Sequence, residues 1–204
     1  MAGYGPTPIE FWFDFASPYA YLAAQTIEET GARLGRRIHW RPFLIGVAFK
    51  TTGMAPLNQV PLRGDYARHD VARLARRLGV PYREPVAQAQ LSLPTSRAFY
   101  WLERVAPALA PAFARAALDA IFGAGADLSR PEGVAAVVAQ VGGDAAVVSA
   151  ALADPAVKEA LRAATDEALA RGVFGSPFMI VDGEPFWGSD RLPLLEEWVR
   201  SGGW

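Results

Sequence analysis

Gly175-Ser176-Pro177-Phe178-Met179-Ile180-Val181-Asp182-Gly183-Glu184-Pro185-Phe186-Trp187-Gly188-Ser189-Asp190 is the stretch whose reading decides the fold. Pro177 to Val181 is apolar and β-prone, the composition of a strand. Asp182-Gly183 is a two-residue turn suited to positive φ, and Pro185 to Trp187 reads as the returning strand. Ser189-Asp190 then offers cap chemistry for a final helix running to about Arg200. The C-terminal unit is therefore a β-hairpin feeding a helix, with a proline at its entrance.

Working outward, Ile9 to Phe15 (IEFWFDF) is a short aromatic strand candidate. Ser17-Pro18 follows, an N-cap with proline at the first helical position, and a helical stretch continues to about Leu34, where Gly35 closes it. Arg37 to Leu44 reads as a second strand, with Pro42 marking an edge or a bend. Lys50 to about Gly64 is rich in glycine and proline, shows no period and reads as a loop. From Asp65 to about Gly172 the pattern is almost all helical. Ser129 with Glu132 makes a capping box there, and Asp154-Pro155 gives a cap with proline just inside. The order β-α-β, helical block, β-β-α predicts an α/β protein with a thioredoxin-like core and an inserted all-helical domain. Residues 1–52 and 173–204 would form the core and 53–172 the insertion.

The composition narrows the function classes. A formal net charge of -1 leaves no nucleic-acid footprint. The local run Arg73, Arg76, Arg77 lies on a helical pattern and reads as a solvated face. The chain has no cysteine, which excludes disulfides, thiolate metal sites and a cysteine nucleophile. Met1 to Pro8 has no charged segment followed by an apolar one, so no secretory signal is read there. The Ala-rich stretches around 105–126 and 134–153 hold Arg115, Asp119, Gln140 and Asp144 and are broken by Pro107, Pro111, Gly142 and Gly143. Neither reads as a membrane span. The expectation is a soluble cytoplasmic protein. His39 and His69 lack partners at metal spacing.

Three constellations could carry chemistry. In a thioredoxin-type fold the redox pair C-x-x-C opens the first helix after the first strand, and here that place holds Ser17-Pro18-Tyr19-Ala20. What remains is a hydroxyl at a helix N-terminus, where unpaired amides favour an anion and would lower the pKa of a thiol brought in by a cofactor. A plain N-cap is the alternative, and the two are compatible. Gly175-Ser176-Pro177 matches the place where such folds carry a proline preceded by a cis peptide bond, which turns the preceding backbone toward the first helix for pairing with an extended ligand. Gly188-Ser189-Asp190-Arg191 combines a hydroxyl and a carboxylate able to hold a zwitterion, or simply caps a helix. Asp14 reads as structural rather than as a general base. Tyr19 and Tyr66 either line a substrate pocket or pack.

Phe13-Asp14-x-x-Ser17-Pro18-Tyr19, Gly172-Val173-Phe174-Gly175-Ser176-Pro177 and Val181-Asp182-Gly183-Glu184-Pro185-Phe186-Trp187-Gly188-Ser189-Asp190-Arg191-Leu192 resemble the signatures of the 2-hydroxychromene-2-carboxylate isomerases, relatives of kappa-class glutathione transferases. The resemblance extends to Trp40-Arg41-Pro42-Phe43-Leu44, Phe49-Lys50 and the helical insertion. It implies a DsbA-like fold, a homodimer, glutathione as cofactor and a small aromatic acid as substrate. By the same resemblance Ser17 lies beside the glutathione sulfur as the catalytic residue. Ser176 and Pro177 form the cis-proline segment, Ser189 and Asp190 hold the γ-glutamyl end, and Lys50 belongs to the cofactor site. Family members often place Asn after a Thr-Gly in the loop following the second strand. Here Thr52-Gly53 is followed by Met54, and Arg63 stands for a family lysine near the glycyl carboxylate. The implied reaction interconverts a cyclic hemiketal acid and its open-chain benzylidenepyruvate partner. A kappa-like transferase and a non-catalytic glutathione- or peptide-binding protein are the alternatives.

Overall fold

The computed structural model describes residues 7–85 and 88–204. Four strands among them, β1 (Ile9–Phe13), β2 (Ile38–Pro42), β3 (Phe178–Val181) and β4 (Glu184–Trp187), form one sheet in the order β2-β1-β3-β4. β1 pairs with β2 in parallel, Ile9 opposite Ile38 and Phe13 opposite Pro42. It pairs antiparallel with β3, Trp12 opposite Phe178, and β3 pairs antiparallel with β4. β2 is an edge strand, which tolerates Pro42 because the missing N–H faces no further strand. The turn between β3 and β4 has Asp182 at φ 51 and Gly183 at φ 89, the backbone the Asp-Gly pair predicts.

From Phe11 to Phe13 the central strand is buried on both faces, and all three residues are aromatic. On one face Phe11 stacks on Phe13 with ring centroids 5.2 Å apart, and Trp40 meets both edge-on at 5.0 and 5.5 Å. On the other, Trp12 joins Phe43, Phe178 and Ile180 in a second cluster, and the Arg41 guanidinium lies 4.3 Å from the Trp12 ring centroid.

Between the strands run α1 (Pro18–Ala24), α2 (Ile27–Leu34), α3 (Ile45–Thr52), α4 (Arg63–Leu78), α5 (Gln88–Val105), α6 (Leu109–Leu118), a π turn (Asp119–Ala124), α7 (Pro131–Gln140), α8 (Val148–Ala153) and α9 (Pro155–Ala170), with α10 (Leu192–Ser201) at the end. The helical character of the middle of the chain is as the sequence predicts. Asp154 caps α9 as expected, accepting the Ala156 N–H at 2.8 Å.

Several boundaries differ, each for a physical reason. The first strand ends at Phe13 rather than Phe15, because the chain turns at Asp14 into α1. The single helix expected to Leu34 is broken at Gln25-Thr26. Arg115 on α6 donates to the Ala24 carbonyl at 2.7 Å and to the Gln25 side chain at 2.8 Å, and Gln25 in turn donates to the Tyr21 carbonyl and to Asp119. These side-chain bonds replace the helical continuation. The segment read as a loop from Lys50 to Gly64 holds the end of α3 and a 3-10 turn at Leu57–Gln59, and α4 begins at Arg63. Ser129 and Glu132 do not form a capping box. α7 starts with Pro131 at its first position, and the Ser129 N–H is taken by Asp127 at 2.9 Å. Ser189 and Asp190 do not cap the last helix either. They lie in a 3-10 turn, Ser189–Arg191, that precedes α10.

The Arg115 network predicts a measurable stability loss. Arg115→Ala removes charged donors from a backbone carbonyl and a side-chain amide, and should lower unfolding free energy by roughly 1–3 kcal/mol. Urea denaturation checks this. An unchanged midpoint would mean that the helix break is set by the local sequence instead.

Candidate active site

The α1 start sits against the chain entering β3. Ser17 is the N-cap of α1: its Oγ accepts the Ala20 N–H at 3.2 Å, with Pro18 following at the first helical position. The same hydroxyl donates to the Ser176 carbonyl at 2.9 Å. The Ser176-Pro177 peptide bond is cis. Ser17 is 9% exposed, so this hydroxyl lies at the edge between the core and solvent. Two residues far apart in sequence, both expected at the site, are thus in direct contact.

The second expected pair is joined on through the backbone. The Gly188 N–H donates to the Pro177 carbonyl at 3.0 Å, which sets the Ser189–Arg191 turn beside the proline, and α1 packs on that turn. Gly188 adopts φ 112 and ψ 150, a conformation that suits only glycine. A Cβ there would also come within 2.6 Å of an Asp190 carboxylate oxygen. Ser189 is partly exposed and Asp190 exposed. Asp190 pairs with Arg191 at 2.5 Å. Gly175 is required for packing: a Cβ would lie 2.2 Å from the Trp187 indole nitrogen.

Asp14 is completely buried beneath this junction. Its carboxylate accepts the Ala16 N–H at 2.7 Å, the Ile45 N–H at 2.9 Å and the Ser92 hydroxyl. Burial raises its pKa above the usual carboxylate value, and the three donors oppose that rise. The structural role read for Asp14 agrees with this placement.

Tyr19, two residues beyond Ser17, is half-buried and donates to Asp70 of α4 at 3.0 Å. Burial, then the Asp70 charge, pushes its phenol well above the usual range. Tyr66 is exposed on α4 and accepts from Arg73 at 3.3 Å. Lys50 is exposed in the last turn of α3, and Arg63 is exposed at the first position of α4. Neither makes a hydrogen bond or ion pair with the Ser17–Ser176 junction. Met54 is exposed just beyond Gly53.

Asp70, Ser92 and the α3 N-terminus are parts of this region that sequence reasoning did not single out. Each is placed by tertiary contact and has no local signal. Among the described residues no group of three His, Asp or Glu side chains could hold a metal ion. His39 is partly buried at the sheet edge, and its pKa is lowered by burial and by Arg41. Two shallow clefts of about 250 and 260 Å³ share Tyr100, Glu103 and Ala160 and are lined by none of the expected site residues. No helix among the described residues is long and apolar enough to cross a membrane.

The model of the DsbA-like thioredoxin domain matches residues 8–200. A 2-hydroxychromene-2-carboxylate isomerase of Sphingobium xenophagum is 34% identical over 193 residues, covering 94% of this chain and 97% of that protein. A kappa 2 glutathione S-transferase of Caenorhabditis elegans is 28% identical over 204 residues, covering 94% and 91%. The solved structure of a 2-hydroxychromene-2-carboxylate isomerase superposes with a TM-score of 0.86 at 28% identity, covering 95% of this chain and 94% of that one. With a DsbA-like thioredoxin fold, a serine where such folds carry the first redox cysteine, and this likeness along nearly its whole length, the chain belongs to the 2-hydroxychromene-2-carboxylate isomerase family.

Proposed function

We propose that the protein is a glutathione-dependent isomerase that interconverts 2-hydroxychromene-2-carboxylate-type hemiketals and their open-chain trans-o-hydroxybenzylidenepyruvate-type acids. The observation that carries this is the Ser17 hydroxyl at the α1 start, held on the Ser176 carbonyl in a chain with no cysteine. The site offers hydrogen-bond donors to an anion but no nucleophile of its own, so the nucleophile comes from a bound cofactor. When bound, glutathione would supply a thiolate able to add to a conjugated carbon and be eliminated again, the former double bond being single and free to turn in between.

The residues present fit that cofactor. The Ser17 hydroxyl and the dipole of the first turn of α1 suit an anionic sulfur; of the amides there, Pro18 has none and that of Ala20 is taken by Ser17 Oγ, which leaves that of Tyr19. In this structure the hydroxyl is already donated to the Ser176 carbonyl. A ligand N–H pairing with that carbonyl, in the manner of an added strand, would release the hydroxyl toward the sulfur. Ser189 and Asp190 would take the γ-glutamyl zwitterion. The exposed Asp190–Arg191 pair must open for the ammonium, and an exposed ion pair resists that by no more than about 1 kcal/mol. Lys50 and Arg63 are exposed cations for the glycyl carboxylate. The kappa-class relative favours a second reading, a transferase that releases a conjugate from the same thiolate.

Incubation with glutathione and a chromene carboxylate, and separately with a chlorinated aromatic electrophile, distinguishes the two. Interconversion without loss of glutathione is expected. Conjugate formation with no interconversion would establish the transferase instead.

Ser17→Ala should raise the pKa of the bound thiol, since a donor to the thiolate is lost, while the amides remain. Turnover at neutral pH should fall about 10- to 100-fold, matching roughly 1.4–3 kcal/mol, with little change in glutathione affinity. Raising the pH should recover part of the rate as more thiol ionises. Superimposable pH profiles with only a lower melting temperature would reduce Ser17 to a helix cap.

Asp190→Ala should weaken glutathione binding by roughly 1.5–3 kcal/mol through loss of a charged hydrogen bond. Because Asp190 caps no helix here, its melting temperature should hardly change. Calorimetric titration showing equal affinities would remove Asp190 from the cofactor site.

A further inference from the structure

Asp14 touches no solvent, and the chemistry described so far gives it no part. Yet it makes five hydrogen bonds to five different places. Through its backbone, the carbonyl accepts the Ser17 N–H at 2.9 Å and the N–H donates to the Ser176 hydroxyl at 2.9 Å. Through its side chain, one oxygen accepts from Ala16 and from Ser92 on α5, and the other accepts from Ile45 at the head of α3. The carbonyl and carboxylate bonds close two nested turns over residues 14–17, so the chain between β1 and α1 has little freedom. Ser17 Oγ and Ser176 O are the two atoms that those turns and the Ser176 bond bring within 2.9 Å.

We propose that Asp14 is a positioning residue of the active site: its carboxylate fixes the 14–17 turn and, through that turn, the placement of the Ser17 hydroxyl against Ser176. This rests on the assignment of Ser17 to the cofactor sulfur. Asp14 does not act as acid or base on the substrate, because it is completely buried. Its three side-chain donors are two backbone amides and a hydroxyl, so the carboxylate is solvated by the fold itself. An apolar residue could fill the volume but would leave the Ile45 and Ala16 amides without this acceptor and the turn unpinned.

The sign of one measurement separates positioning from the other roles a buried acid can have. Removing a nearby negative charge, with nothing else altered, would lower the pKa of a thiol at the α1 start. Loosening the turn that presents Ser17 and the first amides would raise it. Asp14→Asn keeps the size, but its amide nitrogen must face at least one backbone N–H. We expect the bound glutathione thiol, followed by thiolate absorbance against pH, to titrate higher in Asp14→Asn, with roughly three- to tenfold less thiolate where the wild type is half-ionised. kcat should fall with it while KM for glutathione changes less than twofold, as an approximate bound. A thiol pKa that falls or stays put, with only a reduced melting temperature, would overturn the proposal and leave Asp14 a packing residue.

Two further arms keep the test decisive. Ser92→Ala removes one donor and leaves both amide bonds, so it should fold and shift the thiol in the same direction by less. No shift there, if Asp14→Asn fails to fold, counts against the proposal. The thiol introduced by Ser17→Cys can be titrated with and without Asp14→Asn in the absence of glutathione, and its pKa should also rise. If the wild type binds no glutathione the cofactor assignment falls, while this last comparison still decides whether Asp14 orders the turn.

Discussion

The contact between the Ser17 hydroxyl and the Ser176 carbonyl joins two segments separated by 159 residues, and the site depends on it. It exists because β1 is the central strand of the sheet, flanked by β2 from the same end of the chain and β3 from the other. The turn after β1 and the turn before β3 therefore emerge at the same edge. The described elements between them from α3 to α9 are helical, and two of them brace the turn after β1, α3 through the Ile45 amide and α5 through the Ser92 hydroxyl, both bonded to Asp14. The aromatic packing of Phe11, Phe13 and Trp40 on one face and of Trp12, Phe43 and Phe178 on the other holds β1 in place. A strand that rigid gives the serine a fixed base.

A disulfide oxidoreductase built on this fold needs two thiols, and this chain has none. The environment that would depress a thiol's pKa is retained without the thiol: the dipole of the first turn of α1 and a hydroxyl beside a backbone carbonyl. Such a site discriminates by charge, favouring a bound thiolate over a thiol by the order of one hydrogen bond to an ion, roughly 1.5–3 kcal/mol. That is enough to bring a cofactor thiol into the physiological pH range without any covalent chemistry by the protein. The groups of the proposed site differ in exposure. Asp14 is sealed in the core, Ser17 lies at the boundary, and Asp190, Lys50 and Arg63 stand in solvent where a ligand can reach them.

Features set by neighbours in the sequence were legible. Ser17-Pro18 starts a helix, Asp154-Pro155 starts another, Asp182-Gly183 turns a hairpin, and Gly175-Ser176-Pro177 carries the cis bond. Each depends on one or two residues and their own backbone preferences. The features that escaped depend on partners far along the chain. α3 has no side-chain cap of its own at Leu44, and the Ile45 amide is instead satisfied by Asp14. The helix break at Gln25 is made by Arg115 of α6. Ser129 looks like a cap but is used by Asp127, and Ser189 looks like one but sits a turn too early. In the candidate site, the serine, the proline and the Gly-Ser-Asp segment could be read from sequence. Asp14 could be recognised as structural, but its five-way bonding could not.

The most direct test of this account is the pKa of glutathione's thiol when bound to the wild-type protein, read from thiolate absorbance across a pH titration. A site made of the Ser17 hydroxyl, the Tyr19 amide and the first-turn dipole of α1 should hold that pKa at least about one unit below the ordinary thiol value near 8.5. A bound thiol that titrates at its solution value would contradict the account, because the protein would then bind the tripeptide without activating it.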